Sequence, residues 1–143
     1  MPIVLHCHVG IGPPVTGMAL VAKDNFSARY DLDRKKGVFS RPDHGLYGHS
    51  YVGKILVFKT AKGGVASAWM LREMMECGIA PKALIFDTVN PIVAQGAAFA
   101  NLTLVDRFLD GAVDALIRTG DTLDIDPDKG TVVVMNRDRE TTP

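Results

Sequence analysis

The chemistry-bearing part of this sequence is Gly53-Lys-Ile-Leu-Val-Phe-Lys-Thr-Ala-Lys-Gly-Gly-Val-Ala-Ser-Ala-Trp-Met-Leu71. It reads as an apolar strand (Ile55 to Phe58), a tight turn at Lys62-Gly63-Gly64, and then an amphipathic helix. Such a turn aims free backbone N–H groups at whatever lies above the helix N-terminus. That end also carries partial positive charge, so it suits a carboxylate or a phosphate. Lys62 adds a full charge beside it. The bland alternative is an inert strand-to-helix turn.

Other side chains invite chemistry less strongly. Arg29 offers a guanidinium fork that matches a carboxylate through two parallel hydrogen bonds, although a surface ion pair accounts for it more simply. Ser67 sits where the first helical turn is expected, and a local backbone hydrogen bond explains it more simply than a role as nucleophile or catalytic base. His44, after Asp43, and His49 flank a glycine-rich turn and are either solvated or part of a cleft wall. His6 and His8 would share one face of a strand with Cys7 on the other; without further ligands nearby they read as ordinary strand residues. Trp69 falls with Val65, Arg72 and Glu76 on one helix face, as core-edge packing or as an interface anchor.

The elements that must position these groups follow from patterning. Residues 3–9 look like a strand, residues 10–14 a proline-containing loop, and Thr16 to Ala22 a second strand. Phe26 to His49 is polar and glycine-punctuated, with Phe26, Tyr30, Val38, Phe39, Leu46 and Tyr47 as anchors. A helix is expected over Gly64 to Cys77, with Ala66, Met70, Met74 and Cys77 as its stripe, Gly78 in the left-handed position and Pro81 as a stop. Ala83 to Phe86 is a short buried strand. Asn90-Pro91 opens a second helix that carries small residues. Leu102 to Val105 is a strand, and Asp106 is placed to cap a third helix ending at Gly120. The hairpin Thr122 to Ile125 and Thr131 to Met135 turns at Asp126-Pro-Asp-Lys-Gly130. The tail from Asn136 is polar. This order, strands first, βαβ in the middle and a hairpin last, does not alternate as a doubly wound sheet would. It predicts a mixed α/β fold, a barrel-like or layered sheet with helices packed on one side.

Bulk composition narrows the function. A chain of 143 residues is about one domain, here residues 1–143, and can bury a real core. It is 47% apolar and 22% charged, with 16 basic and 16 acidic residues, so no basic field awaits nucleic acid or an anionic membrane. No apolar run is long enough to span a bilayer, and no basic stretch followed by an apolar core marks a signal peptide. Two cysteines, Cys7 and Cys77, are too few for a disulfide framework, and the expected compartment is the cytoplasm.

Taken together, five segments resemble the small subunit, or swivel domain, of the aconitase X family of hydro-lyases. They are Gly17-Met-Ala-Leu-Val21 with Phe26-Ser27; His44-Gly-Leu-Tyr-Gly-His-Ser-Tyr-Val-Gly-Lys-Ile-Leu-Val57; the Lys62-Gly63-Gly64 turn and its helix through Gly78-Ile-Ala-Pro-Lys-Ala83; Asn90 to Phe99 with Gln95-Gly96-Ala97; and Thr119-Gly-Asp-Thr-Leu-Asp-Ile125. The resemblance covers nearly the whole chain in one order. It implies a swivelling β/β/α domain, a larger partner subunit holding iron or an iron–sulfur cluster, no cofactor in this chain, and dehydration of a small hydroxy acid in a site shared by the two. The resemblance places the Lys62, Gly63 and Gly64 turn at the substrate; Arg29 and His44, on their own chemistry, complete the candidate substrate-binding residues. The family serine thought to act as base falls at Gly64, leaving Ser67 as the nearest hydroxyl. The usual Ser-Phe-Trp-Gly-Gly-like stretch is replaced by Ser27-Ala-Arg-Tyr-Asp31. The other reading, motivated by Gly64, is a non-catalytic module that keeps the fold and binds a small organic anion.

Overall fold

The computed structural model describes residues 3–22, 32–33, 37–40, 46–60 and 65–136. In chain order the strands and helices are β1 (Ile3–His6), β2 (Val15–Val21), β3 (Leu32–Asp33), β4 (Val38–Phe39), β5 (Ile55–Thr60), α1 (Val65–Cys77), β6 (Ala83–Thr88), α2 (Pro91–Ala100), β7 (Thr103–Asp106), α3 (Val113–Leu116), β8 (Thr122–Asp126) and β9 (Thr131–Asn136). Seven strands form one mixed sheet in the order β1-β9-β8-β2-β5-β6-β7, and β3 pairs with β4 apart from it. Strands β2, β5, β6 and β7 run parallel, while β8, β9 and β1 join them antiparallel.

The sheet closes on itself. Beyond β1 the chain crosses to the other end of the strand order, where Ile11 and Leu104 exchange backbone hydrogen bonds of 2.9 and 3.0 Å and the His8 N–H donates to the Asp106 carbonyl at 3.2 Å. The Thr103 hydroxyl donates to the Pro13 carbonyl at 2.6 Å. Closure satisfies the edge groups of β7 that an open sheet would leave bare. It requires glycine at position 10, because a Cβ there would lie 2.4 Å from the Leu104 carbonyl oxygen.

Alternation along the central strands divides the core in two. Ile55, Val57, Ala83, Ile85 and Val105 face the barrel interior with Leu5, Leu123, Ile125, Val132 and Val134. Their neighbours Leu56, Phe58, Leu84, Phe86 and Leu104 face outward, under α1 and α2. Strands covered on both faces have no polar side to show, which explains why β5 and β6 read as continuous apolar runs rather than as alternating ones. The rings of Phe58 and Phe86 stack with centroids 6.0 Å apart, and Phe39 packs on Phe58 and edge-on to Tyr51.

The expected mixed α/β architecture holds, with α1 and α2 together on one side. The third helix differs from the sequence expectation. It is a single turn, Val113–Leu116, and packs on the barrel side, where Val113 and Ile117 are fully buried. Asp106 does not cap it: its Oδ2 accepts the Val89 N–H at 3.1 Å. The carboxylate of Asp87 takes the Val113 N–H instead.

The α1 stripe also shifts. Leu71 and Met74 are buried and Met70 packs beside them, but Cys77 is exposed. The Gly78 N–H (φ 75°) bonds to the Met75 carbonyl and that of Ile79 to Met74, which ends the helix as the sequence suggests. Among the anchors expected in the glycine-rich excursion, Phe39 and Leu46 are buried while Tyr47 is exposed; Phe26 and Tyr30 lie outside the described residues.

Candidate functional site

Four parallel strands deliver their carboxyl ends to one edge: β2 at Val21 with Ala22 following, β5 at Thr60, β6 at Thr88 with Val89 and Asn90 following, and β7 at Asp106 with Arg107 following. Because the crossovers from β5 and β6 are α1 and α2, both helices begin at this edge and point their N-termini toward it. Carboxyl ends of parallel strands together with helix N-termini are where such sheets gather anionic ligands. The start of α2 is built as expected. Asn90 has extended backbone, its Oδ1 accepts the Val93 N–H at 2.8 Å, and Pro91 occupies the first helical position. The last turn of α2 closes on Asn101, whose left-handed backbone (φ 55°) turns its N–H back onto the carbonyls of Ala97 and Ala98.

The corner beyond β6 and β7 is assembled by carboxylates that bind backbone. Asp87 Oδ1 accepts the Val113 N–H at 2.8 Å, tying α3 to β6. Asp106 Oδ2 accepts the Val89 N–H and lies 3.7 Å from Arg107 Nε. Asp110 Oδ2 accepts the His6 N–H at 2.7 Å. Cys7, half-buried between Asp106 and Asp110, has its thiol pushed up to about 11, first by burial and then by those two charges. It is therefore protonated and unreactive near neutral pH.

Of the sequence candidates, Arg29, His44, Lys62, Gly63 and Gly64 lie outside the described residues. Ser67 has its backbone in the first turn of α1. His49 is exposed in a turn where its N–H bonds to the Leu46 carbonyl. His6 and His8 face solvent while Cys7 turns toward the barrel core, as alternation on one strand predicts. Trp69 is 62% exposed, so it does not pack at the core edge. It shares the outer face of α1 with the Arg72–Glu76 ion pair.

Sequence reasoning overlooked Asp87, Arg107 and Asp110, and it gave Asp106 the wrong backbone N–H to accept. The available signal was positional: Asp87 and Asp106 each follow a buried strand at the edge where βα units place their working groups.

An open groove of about 320 Å³ bordered by Pro13, Val15, Lys82, Asn101 and Thr103 lies at the opposite edge. There α1 and α2 end, so the helix dipoles present negative charge, which Lys82 complements. That polarity disfavours an anion and separates this groove from the carboxyl edge.

The sequence profile of the aconitase X swivel domain matches residues 4–134. The chain belongs to this family. It is 35% identical over 121 residues to the phosphomevalonate dehydratase small subunit of Methanocella arvoryzae, spanning 85% of this chain and 91% of that one. It is 32% identical over 130 residues to that of Methanothrix thermoacetophila, spanning 91% and 93%. The fold superposes on the crystal structure of Thermococcus kodakaraensis aconitase X in its holo-form with a TM-score of 0.85 and 27% identity, over 94% of this chain and 99% of that one. This swivel domain is thus a component of a hydro-lyase of the aconitase X type. An iron–sulfur cluster takes about three or four thiolates. The swivel domain has two cysteines, one turned into the barrel side and one exposed at the end of α1. Among the described residues no three His, Cys, Asp or Glu side chains are grouped to hold a metal. The residues present do not fit such a centre. No helix among the described residues is long and apolar enough to cross a membrane.

Proposed function

We propose that this swivel domain is the small subunit of a two-chain phosphomevalonate dehydratase, closing its carboxyl edge over a substrate held by a larger partner subunit. The observation that carries the reading is the convergence of four parallel strand ends and two helix N-termini at one edge, in a chain collinear with dehydratase small subunits over most of both lengths. The reaction removes a proton α to a carboxylate and expels the β-hydroxyl as water. On this reading any iron or iron–sulfur centre belongs to the partner, where it would assist departure of hydroxide.

The roles proposed for this chain are binding and orientation. Backbone N–H groups at Gly63 and Gly64 and the Lys62 ammonium hold the carboxylate, with Arg29 and His44 as further contacts from the preceding excursion. The family serine base falls at Gly64, so Ser67, in the first turn of α1, is proposed to supply the hydroxyl. Closure would exclude water from the site.

The test is reconstitution. The chain is co-expressed with the large subunit from the same genome, supplied with iron, and assayed by mass spectrometry for loss of water from phosphomevalonate and from a panel of other small hydroxy acids. Turnover that requires both chains is expected. An assembled complex inactive on every acid would overturn the proposal. Gly64 favours the second reading, a non-catalytic module that binds an organic anion, and binding without turnover would support it.

A further inference from the structure

Arg107 stands out because its backbone is costly and its side chain is available. It is one of two non-glycine residues with positive φ among the described residues, at 59°, immediately after β7. The other, Asn101, has a local reason: it caps α2, and asparagine is among the side chains that tolerate this region. Arginine has no such tolerance. Arg107 is locked there by tertiary bonds: its N–H donates to the Asp87 carbonyl at 3.0 Å, and two residues later the Leu109 N–H reaches the His6 carbonyl at 2.8 Å. Glycine would meet the same geometry without strain.

The Arg107 side chain is 58% exposed, and its ion pair to Asp106 is long at 3.7 Å. That carboxylate is 16% exposed and already accepts the Val89 N–H. Strain retained at a strand end that gathers ligands points from the outlier to a use for its side chain.

We infer that Arg107 binds the phosphate group of the substrate. The inference rests on the dehydratase reading above and adds to it a second anchoring point. β7 stands two strands from β5, whose end leads into the proposed carboxylate corner. Two strand spacings are about 10 Å, so the edge offers separate places for the two ends of an acid with a carboxylate at one end and a phosphate ester at the other. A guanidinium fork is matched to phosphate oxygens. The neighbouring carboxylates of Asp87 and Asp106, both engaged with backbone N–H groups, hold the corner's shape.

The experiment uses the two-chain complex with Arg107→Gly and Arg107→Lys, assayed on phosphomevalonate and on mevalonate, which lacks the phosphate. Arg107→Gly is expected to leave the thermal midpoint unchanged or higher. It should raise KM for the phosphorylated substrate by about tenfold or more, with kcat within about twofold. Discrimination against mevalonate should shrink to match, and Arg107→Lys should recover part of it. A KM unmoved by Arg107→Gly, or one that moves equally for both substrates, overturns the inference while leaving the dehydratase reading intact. If the wild-type complex turns over nothing, the dehydratase reading fails separately. Arg107 is then judged by side-chain NMR of this chain titrated with inorganic phosphate: a saturable Arg107 Nε shift, absent in the glycine variant, sustains phosphate binding, and no shift overturns it.

Discussion

The Asp87 carboxylate accepts the Val113 N–H at 2.8 Å across 26 residues of sequence, so a strand caps a helix that its own flanking residues leave uncapped. Ala112 occupies the N-cap position and cannot accept a bond through its side chain. The consequence is that the barrel-side helix α3 is registered to β6 rather than to the loop that precedes it. Val113 and Ile117 can then fill the interior.

Replacing Asp87 by alanine is therefore expected to cost about 1 kcal/mol or somewhat more, as loss of an N-cap does, since the Val113 N–H is left without its acceptor. Asparagine keeps a carbonyl oxygen in the same place and should recover most of the loss. Urea denaturation of the three proteins measures it. Equal midpoints for wild type and Asp87→Ala would show that the bond contributes nothing.

Barrel closure at Gly10 makes a sharper prediction. An alanine Cβ would sit 2.4 Å from the Leu104 carbonyl oxygen and 2.6 Å from Val105 Cγ1, both on β7. Backbone must move to admit it, so Gly10→Ala should destabilise by more than about 2 kcal/mol. Gly48 is the control. It has positive φ (84°) but open space around it, and Gly48→Ala should cost only about 1 kcal/mol, the left-handed penalty alone. Thermal midpoints of the two variants would rank them, and the reverse order would contradict closure through residues 8–11.

The Cys7 thiol sets an alkaline limit. Its folded pKa, about 11, lies above the ordinary 9.0. The native state therefore keeps a proton that the unfolded chain releases as pH rises past 9. Stability from this group is complete below pH 9 and declines through pH 11, by about 1 kcal/mol once water reaching the half-buried thiol is allowed for. Cys7→Ala should flatten that part of the stability profile relative to wild type. At pH 8, iodoacetamide should modify exposed Cys77 well before Cys7.

Gly64 separates chemistry from binding. If the family serine position supplies a base that this chain lacks, Gly64→Ser should raise kcat of the reconstituted complex by tenfold or more, the lower range for a positioned base of about 10² included. If Ser67 or a partner group already serves, Gly64→Ser should lower activity by crowding the substrate, and Ser67→Ala should abolish it only in the first of those cases. Steady-state kinetics of the two variants on one substrate distinguishes these outcomes.

Local chemistry made some elements readable from the sequence alone. Asn90-Pro91 announces α2 because an Asx side chain and a ring-fixed φ both favour a helix start, and Gly78 with Pro81 marks the end of α1 for equally local reasons. The apolar runs Ile55 to Phe58 and Ala83 to Phe86 identify the doubly covered strands because no polar alternation interrupts them. Order and spacing of motifs along the whole chain marked the family.

What the tertiary structure decided depends on contacts distant in sequence. Asp106 looks like a helix cap in the sequence, but the acceptor that reaches Val113 is Asp87, brought there by the pairing of β6 with β7. The third helix shrinks to one turn because Arg107 (φ 59°) and Gly111 (φ 138°) take non-helical backbone before Val113. The left-handed backbone of Arg107 has no sequence signature either, since a ladder bond to Asp87 and the return of the Leu109 N–H to β1 impose it. Propensity is set by a residue and its neighbours, whereas strain and capping at this edge are set by strands that meet only when the barrel closes.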